Sequence, residues 1–331
     1  SNVSDGRFDS TAVDWDEIIP RHFLQSVWDT ALDDFSSAVI FLRIILFHVE
    51  SFVAAAVSVG APLFYIYYPD RGETFGFRMS WTMVSVAVVF PLTLTLSAVW
   101  NRRERCVSLL ATFKAQCVSI LLAHRDWDWY NIPKDPAQPC TSGRAERLPA
   151  DHVPAVLGDL IEMSRLLQKL LSAPIVTRGR HMHTKRGKRQ RMAVEAVLER
   201  LEDKLGDSIH RLSQHVEDMK AAGLPGNEAA RTRQYFTIMT DAVMQLLAIK
   251  QYRTPAGLRA FSRVCISATP ALFGPYFAEL AASTSVVFSV FASVVTTLAM
   301  QGLLNLRYEM EDPFSKNEDC INVPRDFGKL E

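Results

Sequence analysis

Long uncharged, apolar runs alternate with charged segments along the chain. Residues 79–101 and 280–306 contain no ionisable side chain, and residues 51–69 and 264–278 are two further uncharged stretches. The first two runs exceed the roughly 20 apolar residues that a helix needs to cross a hydrocarbon core of about 30 Å. The pattern therefore predicts four membrane-spanning helices.

Buried core helices of a large soluble α-protein are the alternative interpretation of these runs. Such helices normally carry a polar stripe within each two turns. Residues 280–306 have few polar side chains beyond serine and threonine, which favours a membrane span.

The predicted architecture is all-α, an integral membrane protein with four transmembrane helices in two hairpins and a cytoplasmic helical bundle. The loop at residues 69–78 is only long enough for an antiparallel return. The predicted parts are a cytoplasmic amphipathic segment at 1–37, hairpins at 38–101 and 257–311, the helical region at 102–256 and a cytoplasmic tail at 312–331. In the second hairpin, Pro270 and Pro275 must each break or kink a helix, because proline cannot donate the i to i−4 hydrogen bond.

The orientation follows from the end of the second span. Trp100 is followed there by Arg102, Arg103 and Arg105. Tryptophan is enriched at membrane interfaces and arginine in cytoplasmic loops. We therefore expect this end, and both chain termini, to lie in the cytoplasm.

The middle of the chain has helical periodicity of a soluble type. Apolar residues recur at spacings of three and four after Arg102 as far as residue 124, and again over 153–172, 193–222 and 231–252. The most basic segment, residues 178–191, is predicted to be a cytoplasmic loop that touches anionic lipid. Taken by itself, this basic segment would indicate nucleic-acid binding. We do not expect a nucleic-acid partner for a chain with membrane spans.

Catalytic and metal-binding motifs are not evident. The chain has 36 basic and 36 acidic residues, 15 glycines and five scattered cysteines without CxxC or histidine pairing. No GxSxG, phosphate loop or HExxH occurs. His181 and His183 lie among cations, which disfavours a metal there. We therefore expect that the protein is not an enzyme and that it binds neither a cofactor nor a metal.

Ionisable residues within predicted spans are costly in lipid and tend to face a cavity or partner. The candidates are Arg43, His48, Glu50 and Glu279, although Arg43 and Glu50 could also lie at the cytoplasmic end of the first span.

One face of the second span has a different character. Thr82, Val86 and Phe90 are spaced by four and share a helical face. Repeated around an axis, this face would form an apolar constriction of the kind that gates ion flow by dewetting. Ordinary helix packing is the simpler interpretation.

Two short motifs resemble the bestrophin family. Residues 90–104 contain an aromatic residue and proline followed by Trp100, Asn101 and Glu104, which is similar to the bestrophin segment that ends in Trp-Asn-x-x-Glu. After the fourth span, Asp312, Pro313 and Phe314 resemble the family's acidic-Pro-Phe sequence. The resemblance covers about residues 38–320.

The resemblance implies a homopentameric chloride or bicarbonate channel with a central pore lined by the second helix. Carried over by position, the pore neck is Thr82, Val86 and Phe90, two of which are smaller or more polar than typical animal neck residues. Animal bestrophins bind calcium through acids just after Pro-Phe, where this chain has Lys316. Because calcium requires oxygen ligands, we expect calcium regulation to be absent or altered.

Two other functions stay open. A membrane-anchored scaffold would bind a partner or lipid through its cytoplasmic helices without conducting. A carrier would need an intramembrane acid or histidine, for which His48 and Glu50 are the suggestive pair. A plasma membrane and a plastid membrane are equally compatible with the sequence.

Overall fold

The computed structural model describes most of the helical regions. The described residues are 32, 34–39, 42–44, 49–68, 88–126, 148–149, 151–174, 176, 184–315 and 321. Within them the chain is all-α, as predicted, and contains no strand. The main helices are α1 (Val49–Tyr67), α2 (Phe90–Arg125), α3 (His152–Leu171), α4 (Lys185–Ala221), α5 (Gly226–Gln251), α6 (Ala256–Leu272), α7 (Gly274–Ser283) and α8 (Val286–Met310).

Four helical segments are long and apolar enough to cross a bilayer. They are α1, α2, the stretch Gly257–Ser283 that comprises α6 and α7, and α8. Their positions agree with the four predicted spans. The connection at residues 69–78, the start of the second span and most of segment 1–37 lie outside the described residues.

The chain forms two compact units. The first unit comprises Ser1–Met79 and Ile266–Asn305, and the second comprises Ser80–Cys265 and Leu306–Glu331. Two of the boundaries fall within α6 and near the end of α8, so neither unit corresponds to a single predicted hairpin.

The second unit is a bundle in which α2 packs on α5 and α3 packs on α4. Its long helix α2 continues for 36 residues, from the apolar run into the charged region. The amphipathic stripes that predicted these helices supply the core. Fully buried members include Phe113, Met163, Leu167, Met239 and Leu246.

A glycine ends α4. Gly223 has φ of 107°, a left-handed conformation that costs glycine little. The amide of Leu224 donates to the carbonyl of Met219 at 3.0 Å, and the amide of Gly223 donates to that of Lys220 at 3.1 Å. These bonds satisfy carbonyls that would otherwise be left without partners at the helix end.

The basic segment is not entirely the predicted loop. Its second half, from Lys185, forms the first turns of α4. The Thr184 side chain caps this helix by accepting a hydrogen bond from the amide of Gly187 at 3.0 Å. The prediction started the helix at the apolar stripe and so overlooked the capping threonine. Residues 178–183 lie outside the described part of the chain.

The first unit has polar groups inside and apolar groups outside. On α8, Ser289, Ser293, Thr297, Gln301 and Asn305 recur every four residues and are all buried. The outward residues of the same helix include Val287, which is 81% exposed, and Phe291 at 64%. A soluble protein buries its large apolar side chains preferentially, so this inverted distribution is what a lipid-facing helix requires.

Hydrogen bonds join the polar face of α8 to other parts of the first unit. Ser293 Oγ donates to the carbonyl oxygen of Ser58 on α1 at 2.9 Å. Asn305 Nδ2 donates to the carbonyl oxygen of Ile44 at 2.9 Å and to Ser51 Oγ at 3.1 Å. Small polar residues at such contacts are typical of helix packing in membranes.

The predicted interruption by proline occurs at Phe273, where α6 ends and α7 begins. Pro270 lies inside α6, and Pro275 lies in the first turn of α7, where its missing N–H has no helical partner to lose. Helix α7 packs on α1. The prediction of an interruption is confirmed next to Pro275, whereas Pro270 lies within α6 without ending it.

Candidate functional site

Of the predicted pore neck, only Phe90 belongs to the described residues, at the beginning of α2. Thr82 and Val86 lie outside the described residues, whereas Phe90 is the first residue of the helix and Pro91 follows it. Proline suits this first turn because its N–H would be unpaired there in any case. The Phe90 ring is 61% exposed in the single chain.

An open face of α2 runs on from Phe90. Leu94, Ser97, Asn101 and Glu104 follow at helical spacing, and all are exposed. The opposite face, which includes Leu92, Thr95 and Val99, is buried. We call the exposed residues Phe90, Leu94, Ser97, Asn101 and Glu104 the open face of α2. In a single chain it is free to contact solvent or other chains.

The Trp-Asn-x-x-Glu motif lies on the surface of α2. The Arg103 guanidinium lies 5.5 Å from the centre of the Trp100 ring. Its Nη1 is 2.8 Å from Glu104 Oε1. The neighbouring Arg102 points elsewhere and donates to the carbonyl oxygens of Ile249 and Tyr252 at 2.6 and 2.7 Å. Arg102 therefore caps the carbonyl end of α5. Trp100, Asn101 and Glu104 of the motif stay exposed.

The Asp-Pro-Phe motif anchors the tail to the second unit. Asp312 Oδ2 accepts from Lys250 Nζ at 2.7 Å, and its Oδ1 accepts from the amide of Phe314 at 3.2 Å. The Phe314 ring is 4% exposed and belongs to the main core. The carbonyl of Pro313 accepts from the amide of Ile321 at 2.8 Å. In the described residues this motif has a structural role.

The chain was compared with known proteins in three ways. A scan against protein-family models found no match, and neither did a search of curated protein sequences. Solved structures do match. A bacterial bestrophin homolog from Klebsiella pneumoniae superposes with a TM-score of 0.58 at 14% identity, over 84% of this chain and 94% of that one.

Two further structures agree with this match. A point variant of the Klebsiella pneumoniae homolog gives a TM-score of 0.59 at 14% identity, with 84% and 94% of the two chains covered. A structure described only as a membrane protein gives 0.60 at 14% identity, with 86% and 95% covered. The chain has the bestrophin fold. At 14% sequence identity, the similarity establishes the architecture of the chain and not its activity.

The bestrophin fold here contains a buried charge cluster that the sequence interpretation missed. Glu311 is 2% exposed, at the end of α8. Its carboxylate accepts from Thr254 Oγ1 at 2.8 Å and from Arg259 Nη1 at 3.1 Å, and it also pairs with Arg253. The sequence singled out Asp312 in this segment. The neighbouring Glu311 is the more deeply buried acid, with 1% of its side chain exposed against 11% for Asp312.

Arg307 is also fully buried in this fold. None of its three side-chain nitrogens has a hydrogen-bond partner among the described residues. The guanidinium lies 5.4 Å from the centre of the Tyr308 ring. Such contacts are favourable, since the face of the ring attracts a cation.

Of the four ionisable residues singled out in the predicted spans, three belong to the described part of the chain. Arg43, Glu50 and Glu279 are exposed, and His48 lies outside the described residues. The carrier pair His48 and Glu50 therefore stays a prediction. The predicted calcium difference at Lys316 also falls outside the described part of the chain.

Proposed function

We propose that this integral membrane protein is a bestrophin-like anion channel, a homopentamer whose central pore is lined by α2. The open face of α2 carries the proposal, because five exposed residues run along one side of a helix long and apolar enough to span a membrane. The bestrophin fold supports the same assignment.

The proposed neck is the face that Thr82, Val86 and Phe90 share by their sequence spacing. A chloride or bicarbonate ion passes it by partial dehydration. Aromatic ring edges carry partial positive charge, so Phe90 provides a weakly attractive surface for an anion without a full positive charge that would trap it. Ser97 and Asn101 continue the same face with groups that donate hydrogen bonds.

The proposed transport involves no covalent chemistry. We propose accordingly that the protein is not an enzyme and needs no cofactor for conduction. Lys316 stands where animal bestrophins have an acid that binds calcium, so opening is proposed to be independent of calcium or altered in its dependence.

Recording from purified protein in planar bilayers tests conduction. The wild type is expected to carry anion current, and Phe90→Ala is expected to change its conductance or anion selectivity. Phe291→Ala is the matched control, since Phe291 is similarly exposed but lies on α8. Absence of anion current in both the wild type and Phe90→Ala would contradict the channel.

Mass measurement in detergent tests the assembly. The expected species has five times the chain mass of 37.2 kDa. A monomer would contradict the pore, since one copy of α2 cannot surround an axis. A pentamer without current would instead favour the membrane-anchored scaffold.

A further inference from the structure

Three histidines that are far apart in the sequence meet within the second unit. His124 lies in the last turn of α2, His152 begins α3, and His215 lies in α4. The ring centres of His124 and His152 are 5.1 Å apart, and those of His152 and His215 are 5.4 Å apart. His124 and His152 are buried. The sequence contains no motif that would link these positions.

His215 is oriented by a carboxylate. Its Nε2 lies 2.9 Å from Asp159 Oδ2. Because a carboxylate only accepts hydrogen bonds, Nε2 carries the proton in this bond, and Nδ1 is the atom through which His215 would bind a metal ion. Asp159 is itself fixed by Arg211, whose Nε donates to Oδ1 at 2.8 Å. Histidines that bind metals are commonly held by a carboxylate in this way.

A second carboxylate lies on the free side of the His215 ring. Asp218 Oδ2 is 3.6 Å from His215 Nδ1. Two ligand atoms on one tetrahedral zinc ion, each at about 2.1 Å from the metal, lie about 3.4 Å apart. The observed separation is therefore close to the distance that a shared ion would impose.

His152 completes the set. Potential ligand atoms of His152, His215 and Asp218 all lie within 4.8 Å of one another. The Nε2 atom of His152 is 2.9 Å from His124 Nδ1. When Nε2 donates in this bond, Nδ1 is unprotonated and available to a metal.

We propose that His152, His215 and Asp218 form a binding site for a first-row divalent metal ion, with zinc as the best match. Two imidazole nitrogens and one carboxylate oxygen suit zinc, whereas calcium and magnesium prefer oxygen ligands throughout. The Asp218 side chain is 59% exposed, which gives an ion access from solvent and leaves a position for water. His124 and Asp159 orient the two histidines.

The bound ion would join α3 to α4 at the point where α2 ends. An ion that binds the folded chain and not the unfolded chain stabilises the fold by mass action. This role is independent of conduction, so loss of the metal and loss of anion current are separate outcomes.

Titration of the metal-free, full-length protein in detergent with zinc chloride tests the site. We expect one zinc per chain, a higher thermal midpoint with zinc, and binding weakened by about tenfold or more in Asp218→Asn and His215→Asn. Asp218→Asn is the decisive variant because this exposed residue can change without disturbing the core. Glu217→Gln is the matched control, since the exposed Glu217 pairs with Lys220 at 2.7 Å, and it should bind zinc as the wild type does.

Cobalt substitution identifies the ligands. A site of nitrogen and oxygen ligands gives a visible cobalt spectrum without the charge-transfer band of a thiolate. A thiolate band, no zinc retained by the wild type, or equal zinc affinity in the wild type, Asp218→Asn and His215→Asn would each overturn the proposal.

Discussion

Glu311 compensates more than one buried positive charge. Its buried carboxylate contacts Thr254, which is also buried, and the partly buried Arg253 and Arg259. Removal of one partner from a buried ion pair leaves an uncompensated charge, which costs about 3 kcal/mol or more. We therefore expect Glu311→Gln to lower the thermal midpoint of the purified protein strongly, as followed by its loss of monodispersity on heating.

Glu195→Gln provides the control for this prediction. Glu195 pairs with Arg191 at 2.7 Å on the exposed surface of α4, where such a pair contributes under about 1 kcal/mol. The variant should unfold close to the wild-type temperature. Equal midpoints for the two variants would mean that Glu311 does not balance the arginines.

At the residue scale, short motifs could be recognised from the sequence, whereas the residues that each side chain contacts could not be predicted. The Asp-Pro-Phe motif was recognisable, but its Phe314 packs in a core built from residues far away in the chain. Glu311 carries no sequence feature that distinguishes it from Glu309. His124, His152 and His215 become neighbours only when α2, α3 and α4 pack, so no local spacing could indicate them.

Gly274 sets the distance between two helices. A Cβ atom at this position would lie 2.5 Å from two carbons of the Tyr65 ring and 3.4 Å from the carbonyl oxygen of Ala61. Carbon atoms do not approach so closely, so Gly274→Ala must displace the ring or separate α7 from α1. Overpacking of this kind costs about 1–3 kcal/mol, which should appear as a lower thermal midpoint in detergent.

Gly206→Ala is the matched control, since a Cβ atom there meets nothing within 4 Å inside helix α4. Alanine is the better helix former by up to about 1 kcal/mol. The control should therefore be neutral or stabilising. A Gly274→Ala protein as stable as the Gly206→Ala protein would show that α1 and α7 are not in close contact.

At the element scale the helices were predictable because hydrophobic periodicity decides them. Pro275 correctly indicated an interruption of this span, since proline acts through its own ring, and the structure places the interruption at Phe273. The start of α4 was misjudged because its first turns are cationic, and only Thr184 indicates where the helix begins. The four-residue spacing of polar side chains on α8 was readable, but packing was needed to show that this face points inward.

For the whole molecule, length and hydropathy were enough to predict an all-α membrane protein, and the short motifs indicated the fold. The division into two units was not predictable, because two of its boundaries fall inside the helices α6 and α8. Such boundaries depend on which residues pack together and not on breaks in the hydrophobic pattern. The open face of α2 likewise becomes evident only when the buried face opposite it is known.

The number of spans predicts on which side of the membrane the two termini lie. The described residues contain four candidate spans, and we expect this even number to place both termini on the same side of the membrane. Arg102, Arg103 and Arg105 follow the apolar part of α2, and from the positive-inside bias we expect that side to be the cytoplasm. We expect epitope tags at both termini to resist protease in intact cells and to be cleaved in inverted vesicles. A tag inserted at residues 69–78 should show the opposite pattern, and termini of opposite accessibility would require an odd number of spans.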